Sequence, residues 1–278
     1  MTICRFFTAA CLALVVACTP AENTDNSTSN TATTPQDPIQ ETVVKEVPVN
    51  ANPYVAAVEE AHQRKAFLAK EAIKFDIVLE FGGAERLNGT VTTLTNSTKV
   101  RIDYKNGQSL LCDGDKVFAV DAENSASKRF AVYTWSYFFL FPYKLSDEGT
   151  KWAAYEQSNL KDKAYLTQKL TFEAGTGDDP DDWYITYANP ENNLIEVAAY
   201  IVTAGGTAQE EAEKDPHAVS YGNYQDIDGI PIAHEWKFWG WKPDTGLTDQ
   251  LGAATLSNIQ FVTADPELFE MPEGYVQL

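Results

Sequence analysis

Short segments in which apolar and polar residues alternate recur along most of the chain, separated by turn residues. Such alternation is typical of β-strands that turn one face toward a core. The segments cover residues 75–81, 89–95, 99–104, 108–112, 116–120, 164–172, 183–187, 194–203, 220–226, 232–241 and 254–262, with a short end piece at 267–271. Their close spacing predicts an antiparallel meander of about ten or eleven strands. No fixed repeat period accompanies it, which argues against a propeller or a solenoid.

A different, helical period precedes the first strand. Apolar residues recur at helical spacing from Tyr54 to Glu71, and Pro53 lies at the start, where proline is favoured in a helix. The pattern predicts one helix over residues 54–71 that packs an apolar stripe against the sheet. His62 has no neighbouring Asp, Cys or second His, so we interpret it as a surface or packing residue and not as a metal ligand.

The stretch from Arg129 to Leu145 interrupts the strands and is apolar on every face until Pro142. Half of the sixteen residues from Phe130 to Leu145 are aromatic. A helix of this kind must be buried or must cover something apolar. It is too short to span a membrane, which takes roughly 20 apolar residues. The segment is therefore either the central core helix of a sheet protein or the lid of an apolar cavity.

The N-terminus has the pattern of an export signal. A short basic start is followed by an apolar run from Phe6 to Val16, which ends in small residues before Cys18. Residues 14–18, Leu-Val-Val-Ala-Cys, resemble the lipobox of bacterial lipoproteins, which implies lipidation of Cys18 after cleavage. An ordinary secretory signal that contains Cys18 is the alternative. Residues 19–52 are polar and rich in Thr, Asn and Pro, which is typical of a disordered tether.

These boundaries divide the chain into a signal peptide (1–17), a lipidated tether (18–52) and a single β domain (53–278). Cleavage removes Cys4 and Cys11, and lipidation of Cys18 would leave Cys112 without a partner, so we expect no intramolecular disulfide. The formal charge is −19 and becomes −20 when Arg5 is removed with the signal. This charge argues against nucleic acid and anionic lipid headgroups as partners.

Other candidate sites have weaker patterns. The strand from His234 to Trp241 places Trp236 and Phe238 on one face and Trp239 on the other, so it is either a strand buried on both faces or an exposed ligand surface. Four carboxylates between Asp178 and Asp182 are compatible with Ca²⁺, although a solvated turn is the commoner arrangement. No Gly-x-Ser-x-Gly, phosphate-binding loop or Cys-x-x-Cys occurs. A carboxylate pair for hydrolysis depends on spatial separation.

Three stretches carry a family resemblance: residues 139–145, Phe-Leu-Phe-Pro-Tyr-Lys-Leu, with Asp147 and Gly149 after them; residues 183–187; and residues 224–232. The chain resembles, over about residues 54–272, the LolA/LolB-like lipoprotein-carrier superfamily and, more closely, its uncharacterised lipoprotein relatives in Gram-negative bacteria. The resemblance implies a half-open antiparallel β-barrel with a helical lid over an apolar concave face. The sequence His62-Gln63-Arg64 departs from the His-Gly-Gly that is frequent in these relatives.

The resulting expectation is a mainly β protein with a few helices and no enzymatic activity, cofactor or metal. We expect it to be anchored to a membrane of the cell envelope, the outer membrane, and to bind a lipid, an acyl chain or an acylated protein. The predicted ligand-binding residues are Trp135, Phe138, Phe139, Phe141, Tyr143, Trp236 and Trp239. A structural or interaction protein whose own rings fill the cavity is the main alternative, and a hydrolase with a carboxylate pair is a third.

Overall fold

The structure is a computed structural model that describes residues 52–278. The predicted signal peptide, almost all of the predicted tether and Cys18 lie outside the described residues. No helix within residues 52–278 has both the length and the apolar character needed to cross a membrane.

Fifteen strands and four α-helices make up the described chain. The strands are β1 (Ala72–Phe81), β2 (Ala84–Leu94), β3 (Lys99–Tyr104), β4 (Ser109–Asp113), β5 (Lys116–Ala119), β6 (Thr150–Ala154), β7 (Asn159–Leu160), β8 (Lys163–Ala164), β9 (Leu166–Phe172), β10 (Tyr184–Ala188), β11 (Ile195–Tyr200), β12 (His217–Ile227), β13 (Ile230–Lys242), β14 (Gly246–Val262) and β15 (Val276–Gln277). The helices are α1 (Pro53–Ala61), α2 (Arg64–Leu68), α3 (Ser125–Leu140) and α4 (Gln209–Ala212), and 3₁₀ helices cover Phe141–Tyr143 and Pro266–Phe269.

Thirteen of the strands form one open antiparallel sheet in the order β15-β5-β4-β3-β2-β1-β14-β13-β12-β11-β10-β9-β6. The sheet consists of two meanders, β1 to β5 and β9 to β14, which pair through β1 and β14. The predicted meander and all eleven predicted strands are therefore present. The strand count was too low, because the sequence of β6 (Thr-Lys-Trp-Ala-Ala) does not alternate and β7, β8 and β15 are only two residues long. The predicted end piece at 267–271 is wrong, since a 3₁₀ helix covers Pro266–Phe269.

The first predicted helix is broken into α1 and α2. Gln63 has a left-handed backbone conformation (φ 56°), which ends one helix before the next begins. The break turns His62 inward, where it is fully buried and its Nε2 accepts a hydrogen bond of 3.0 Å from the Ile195 N–H. His62 is thus a packing residue, and a surface position for it is excluded.

One face of the sheet is covered along most of its strands, and the other is covered mainly over β10 to β13. The larger core lies between one face and α3, where Phe139 stacks on Phe75 of β1 with ring centroids 4.2 Å apart. A smaller core on the other face gathers around Tyr187 and Trp241 and includes Leu160 of the β7–β8 hairpin and Ala212 of α4. Trp236 and Phe238 belong to the larger core, whereas Trp241 belongs to the smaller one. The strand buried on both faces is therefore confirmed for β13.

Gly89 of β2 allows the backbone of β3 to come unusually close. A Cβ added at Gly89 would overlap the carbonyl oxygen of Asp103 and lie 2.9 Å from Tyr104 Cα. Because backbone atoms cannot move aside cheaply, we expect Gly89→Ala to lower the free energy of unfolding by about 2 kcal/mol. The matched control is Gly222→Ala in β12, where the nearest atom would be 3.9 Å away. In chemical denaturation, the free energy of unfolding of this control should change by no more than about 0.5 kcal/mol. Equal losses of stability in both variants would contradict the close approach.

Candidate functional site

A cavity of about 590 Å³ lies between α3 and the two meanders of the sheet. Val100 of β3 and Cys112 of β4 line it from the first meander, and Phe172 of β9 lines it from the second. Phe138 and Leu140 of α3 complete the apolar wall. The volume is within the range of small-molecule sites, which are typically concave and mostly apolar.

The position of α3 follows from its residues. Phe138 contacts Tyr200 of β11 and Phe238 of β13, with ring centroids 5.0 and 5.7 Å apart. From the middle of the helix, the Tyr133 hydroxyl donates to the Gly114 carbonyl in the β4–β5 turn at 3.2 Å. The helix therefore contacts strands and turns from both meanders, and the cavity remains open beside it.

One wall of the cavity is polar. Tyr137 of α3, Tyr184 of β10 and Tyr200 line it, with ring centroids 5.6 Å apart for Tyr137 and Tyr184 and 6.0 Å apart for Tyr184 and Tyr200. Their hydroxyls donate to no residue in the range 52–278, yet none of the three is sealed from a water-sized probe. Burial raises the pKa of all three phenols, so at neutral pH they are uncharged hydroxyls that can accept as well as donate a hydrogen bond.

Asp182 lies beside these rings. Its Oδ1 accepts from the Thr203 N–H at 2.7 Å and from the Thr203 hydroxyl at 2.8 Å, and its charge contributes to the raised pKa of each of the three tyrosines. Partial burial raises the pKa of Asp182 to about 6, despite the two hydrogen bonds. The carboxylate is therefore mostly ionised at pH 7 in a weakly solvated place.

The rim of the cavity carries ion pairs. Arg129 of α3 forms a bidentate pair with Asp178 at 2.6 Å and also donates to the Asp115 carbonyl at 3.0 Å, so it ties the helix to two loops. Lys144 donates to Asp147 at 2.6 Å and to Ser97 at 2.8 Å. These contacts hold α3 and the segment after it against the sheet.

The seven predicted ligand-binding residues occupy different places. Phe138 lines the large cavity. Phe139, Tyr143 and Trp236 surround a void of only about 10 Å³. The remaining three line neither space: Trp135 and Phe141 are buried in the larger core, and Trp239 is partly exposed on the opposite face of the sheet. The structure thus brings only Phe138 to the cavity wall.

Tyr137, Tyr184 and Tyr200 were not among the predicted ligand-binding residues, and Asp182 was considered only as part of a possible Ca²⁺ loop. Tyr137 lies in the aromatic segment and Asp182 in the acidic loop, and Tyr184 and Tyr200 lie in predicted strands. The missing information was the strand register, which decides which of two neighbouring aromatic residues faces α3. Successive residues of a strand face opposite sides of the sheet, so Tyr184 lies on the face opposite to Trp183 and Tyr187. Once the face toward α3 was known, this rule would have identified Tyr184.

The acidic loop holds no recognisable metal site. Asp178 pairs with Arg129, Asp182 bonds Thr203, and within the described range no group of three or more His, Cys, Asp or Glu side chains is arranged to hold a metal ion. Cys112 is buried and unpaired, and burial raises the pKa of its thiol. A thiol with a raised pKa is a poor nucleophile at neutral pH, which agrees with a packing role.

Solved structures share this arrangement of sheet and helix. A LolA superfamily protein from Nitrosomonas europaea superposes with a TM-score of 0.52 at 11% identity, over 81% of this chain and 98% of that protein. The chain has a LolA-like fold. A DUF1329 family protein from Desulfovibrio piger (TM-score 0.43, 12% identity, 79% of this chain and 98% of that one) is less similar in structure. A domain from Vibrio parahaemolyticus named for outer membrane lipoprotein sorting is also less similar (TM-score 0.45, 11% identity, 78% of this chain and 97% of that one).

Sequence comparison adds little beyond this. The profile of a family of unknown function, DUF6503, matches residues 89–226, a range that includes α3 and most of the cavity wall. No curated protein matches the chain. The comparisons therefore establish the fold and leave the ligand and the activity to be argued from the site.

Proposed function

We propose that this protein binds the apolar chain of a lipid or of an acylated molecule in the cavity beside α3. The observation that carries the proposal is a space of about 590 Å³ with aliphatic and aromatic walls inside a LolA-like fold. Each methylene buried there would contribute about 0.8 kcal/mol, so a chain of moderate length would bind well without any specific polar contact.

In this proposal the sheet acts as a half-open barrel and α3 as its lid. The lid contacts both meanders, and the bidentate pair of Arg129 with Asp178 closes the gap between the helix and the β9–β10 loop. Both partners of this pair are about one-third exposed, so the pair contributes little to stability. A contact of that strength suits a lid that must move to admit a ligand.

The protein would act at the cell envelope, attached through lipidated Cys18, without a catalytic step. The pattern of residues 1–18 supports this location, and acylation at more than one position would make the attachment durable. The acidic charge of the chain agrees with a body that stands clear of anionic headgroups.

Filling the cavity should abolish ligand binding. Val202 lines the cavity just after β11, so we expect Val202→Trp to weaken uptake of the fluorescent probe N-phenyl-1-naphthylamine at least tenfold, or about 1.4 kcal/mol. The matched control is Val78→Trp, at a site on β1 that is 43% exposed and outside the cavity lining. Both variants and the native chain would be compared at full length in a non-ionic amphipol.

Lipid extraction followed by mass spectrometry on the same three samples identifies what was carried from the cell. The proposal expects a lipid that is present in the native chain and in Val78→Trp and is missing from Val202→Trp. Identical lipid content and identical probe affinity in all three would refute it. That result would favour an interaction protein that takes up no ligand.

A further inference from the structure

One wall of the cavity has more polar character than an apolar chain needs. Tyr184 and Tyr200 are only 7% and 4% exposed, and their hydroxyls have no hydrogen-bond partner within residues 52–278. Buried hydroxyls without a partner are costly, because they lose water and gain nothing in return. Since both side chains line the cavity, a ligand or water held there is the natural partner.

The same cavity wall provides a negative charge. Asp182 lines the cavity together with Tyr137, Tyr184 and Tyr200. Only Thr203 donates to this carboxylate, through its N–H and its hydroxyl, and both bonds go to Oδ1. No cation of the described chain pairs with Asp182, so its second oxygen is free to receive one.

The cavity lining as a whole is acidic. Six carboxylates line it: Asp115, Asp147, Glu148, Asp178, Asp179 and Asp182. Lys144 lines it too, and Arg64 and Arg129 pair with two of the six from outside. Six negative against three positive charges leave an excess of three negative charges around the space. An anionic head would be repelled there, whereas a cation would be attracted, and more strongly than in bulk water because the site is partly buried.

We propose that the ligand is an amphiphile whose head is a positively charged nitrogen, an amine or a quaternary ammonium, placed among Tyr137, Tyr184, Tyr200 and Asp182. This deepens the proposed function and rests on it. The lone pairs of the tyrosine hydroxyl oxygens can face the cationic nitrogen, and Asp182 provides the counter-charge. The apolar wall formed by Val100, Cys112 and Phe172 receives the tail. A simple fatty acid, with a carboxylate head, is disfavoured by the same charges.

The test compares two amphiphiles with tails of equal length and opposite head charge. Undecyltrimethylammonium and dodecanoate, whose tails both have eleven carbons, would each displace N-phenyl-1-naphthylamine from the full-length chain in a non-ionic amphipol at pH 7.5. We expect the ammonium compound to displace the probe at a concentration about tenfold lower, since head charge is the main difference. In Asp182→Asn, which keeps an oxygen for Thr203, the preference should fall to about threefold or less.

Two further variants make the result specific to the site. Asp249→Asn removes a carboxylate from an exposed position on β14 and should leave the preference unchanged. Asp179→Asn removes a charge from the cavity lining without touching the Thr203 contact, and should lower the preference about twofold even if Asp182→Asn is poorly folded.

The outcomes separate the two proposals. Equal or tighter binding of dodecanoate, or an ammonium preference that survives both Asp182→Asn and Asp179→Asn, overturns the cationic head while ligand binding stands. If the native chain takes up neither the probe nor either amphiphile, the proposed function fails and this inference fails with it.

Discussion

Replacing Trp236 by alanine is expected to lower the free energy of unfolding by about 3–5 kcal/mol, the usual cost of removing a large aromatic side chain from a core. Trp236 is 1% exposed and belongs to the larger core, where its ring meets Tyr221 with centroids 6.2 Å apart. The void that it lines measures only about 10 Å³, which is too small to hold a ligand. Its whole surface is therefore packed against protein.

Chemical denaturation of Trp236→Ala and Trp239→Ala measures the difference between the two faces of β13. Trp239 is partly exposed, packs at the edge of the smaller core and donates its indole N–H to Ser220 at 2.9 Å. Its truncation should cost about 1–2 kcal/mol, since less surface is lost from contact. A loss below about 1 kcal/mol for Trp236→Ala together with abolished probe uptake would instead place Trp236 in a ligand site.

Alternation of residues was sufficient to predict the strands of this fold. Each long strand turns one face toward the larger core. Because side chains alternate between the two faces, every second residue of such a strand is apolar. The strands that were missed have no such pattern, because pairing with a neighbour defines them. Asn159–Leu160 and Val276–Gln277 are two residues long and become strands only through the segments beside them.

The break after α1 could not be predicted from helical periodicity. The apolar positions continue in register beyond His62, and the interruption lies in the left-handed conformation of Gln63. That conformation is costly for a residue with a Cβ and is maintained by burial of the neighbouring histidine. Tertiary packing thus overrides the local pattern at this point.

The aromatic segment was predicted as a core helix or as a lid, and the structure shows that its residues are divided between the core and the cavity wall. Trp135 and Phe139 fill the core between α3 and the sheet, whereas Tyr137 and Phe138 face the cavity. The polar wall also needs Tyr184 and Tyr200, which are remote in sequence and meet Tyr137 only through the register of β10 and β11. No local pattern contains that information.

Acid should destabilise this protein through His62 more than through either of the other two histidines. Full burial lowers the pKa of His62 to about 3, and Tyr143 and Tyr224 pack around the ring. Nε2 accepts from Ile195, so the proton of the neutral ring is on Nδ1, which has no partner in the described chain. The fold therefore holds a neutral imidazole that cannot gain a proton without losing its hydrogen bond.

The direction of this pH effect follows from proton binding in the folded and unfolded chains. Below pH 6.5 the unfolded chain protonates His62, whereas the folded chain does so only near pH 3, so stability falls as pH falls through this window. Between pH 7 and pH 4 the loss from this residue should be about 3 kcal/mol. In His62→Gln the amide oxygen can still accept from Ile195 and nothing titrates, so the variant should lose about 3 kcal/mol less than the native chain over the same interval.

Denaturation curves at pH 7 and pH 4 for the native chain, His62→Gln and His217→Gln measure this difference directly. Burial also lowers the pKa of His217, but its side chain is 22% exposed and lies near Asp215, so its removal should change the pH dependence by less than about 1 kcal/mol. Carboxylates titrate alike in all three proteins and cancel in the comparison. If the native chain and His62→Gln lost the same stability, His62 would already be protonated or exposed in the fold, and the α1–α2 break would need a different explanation.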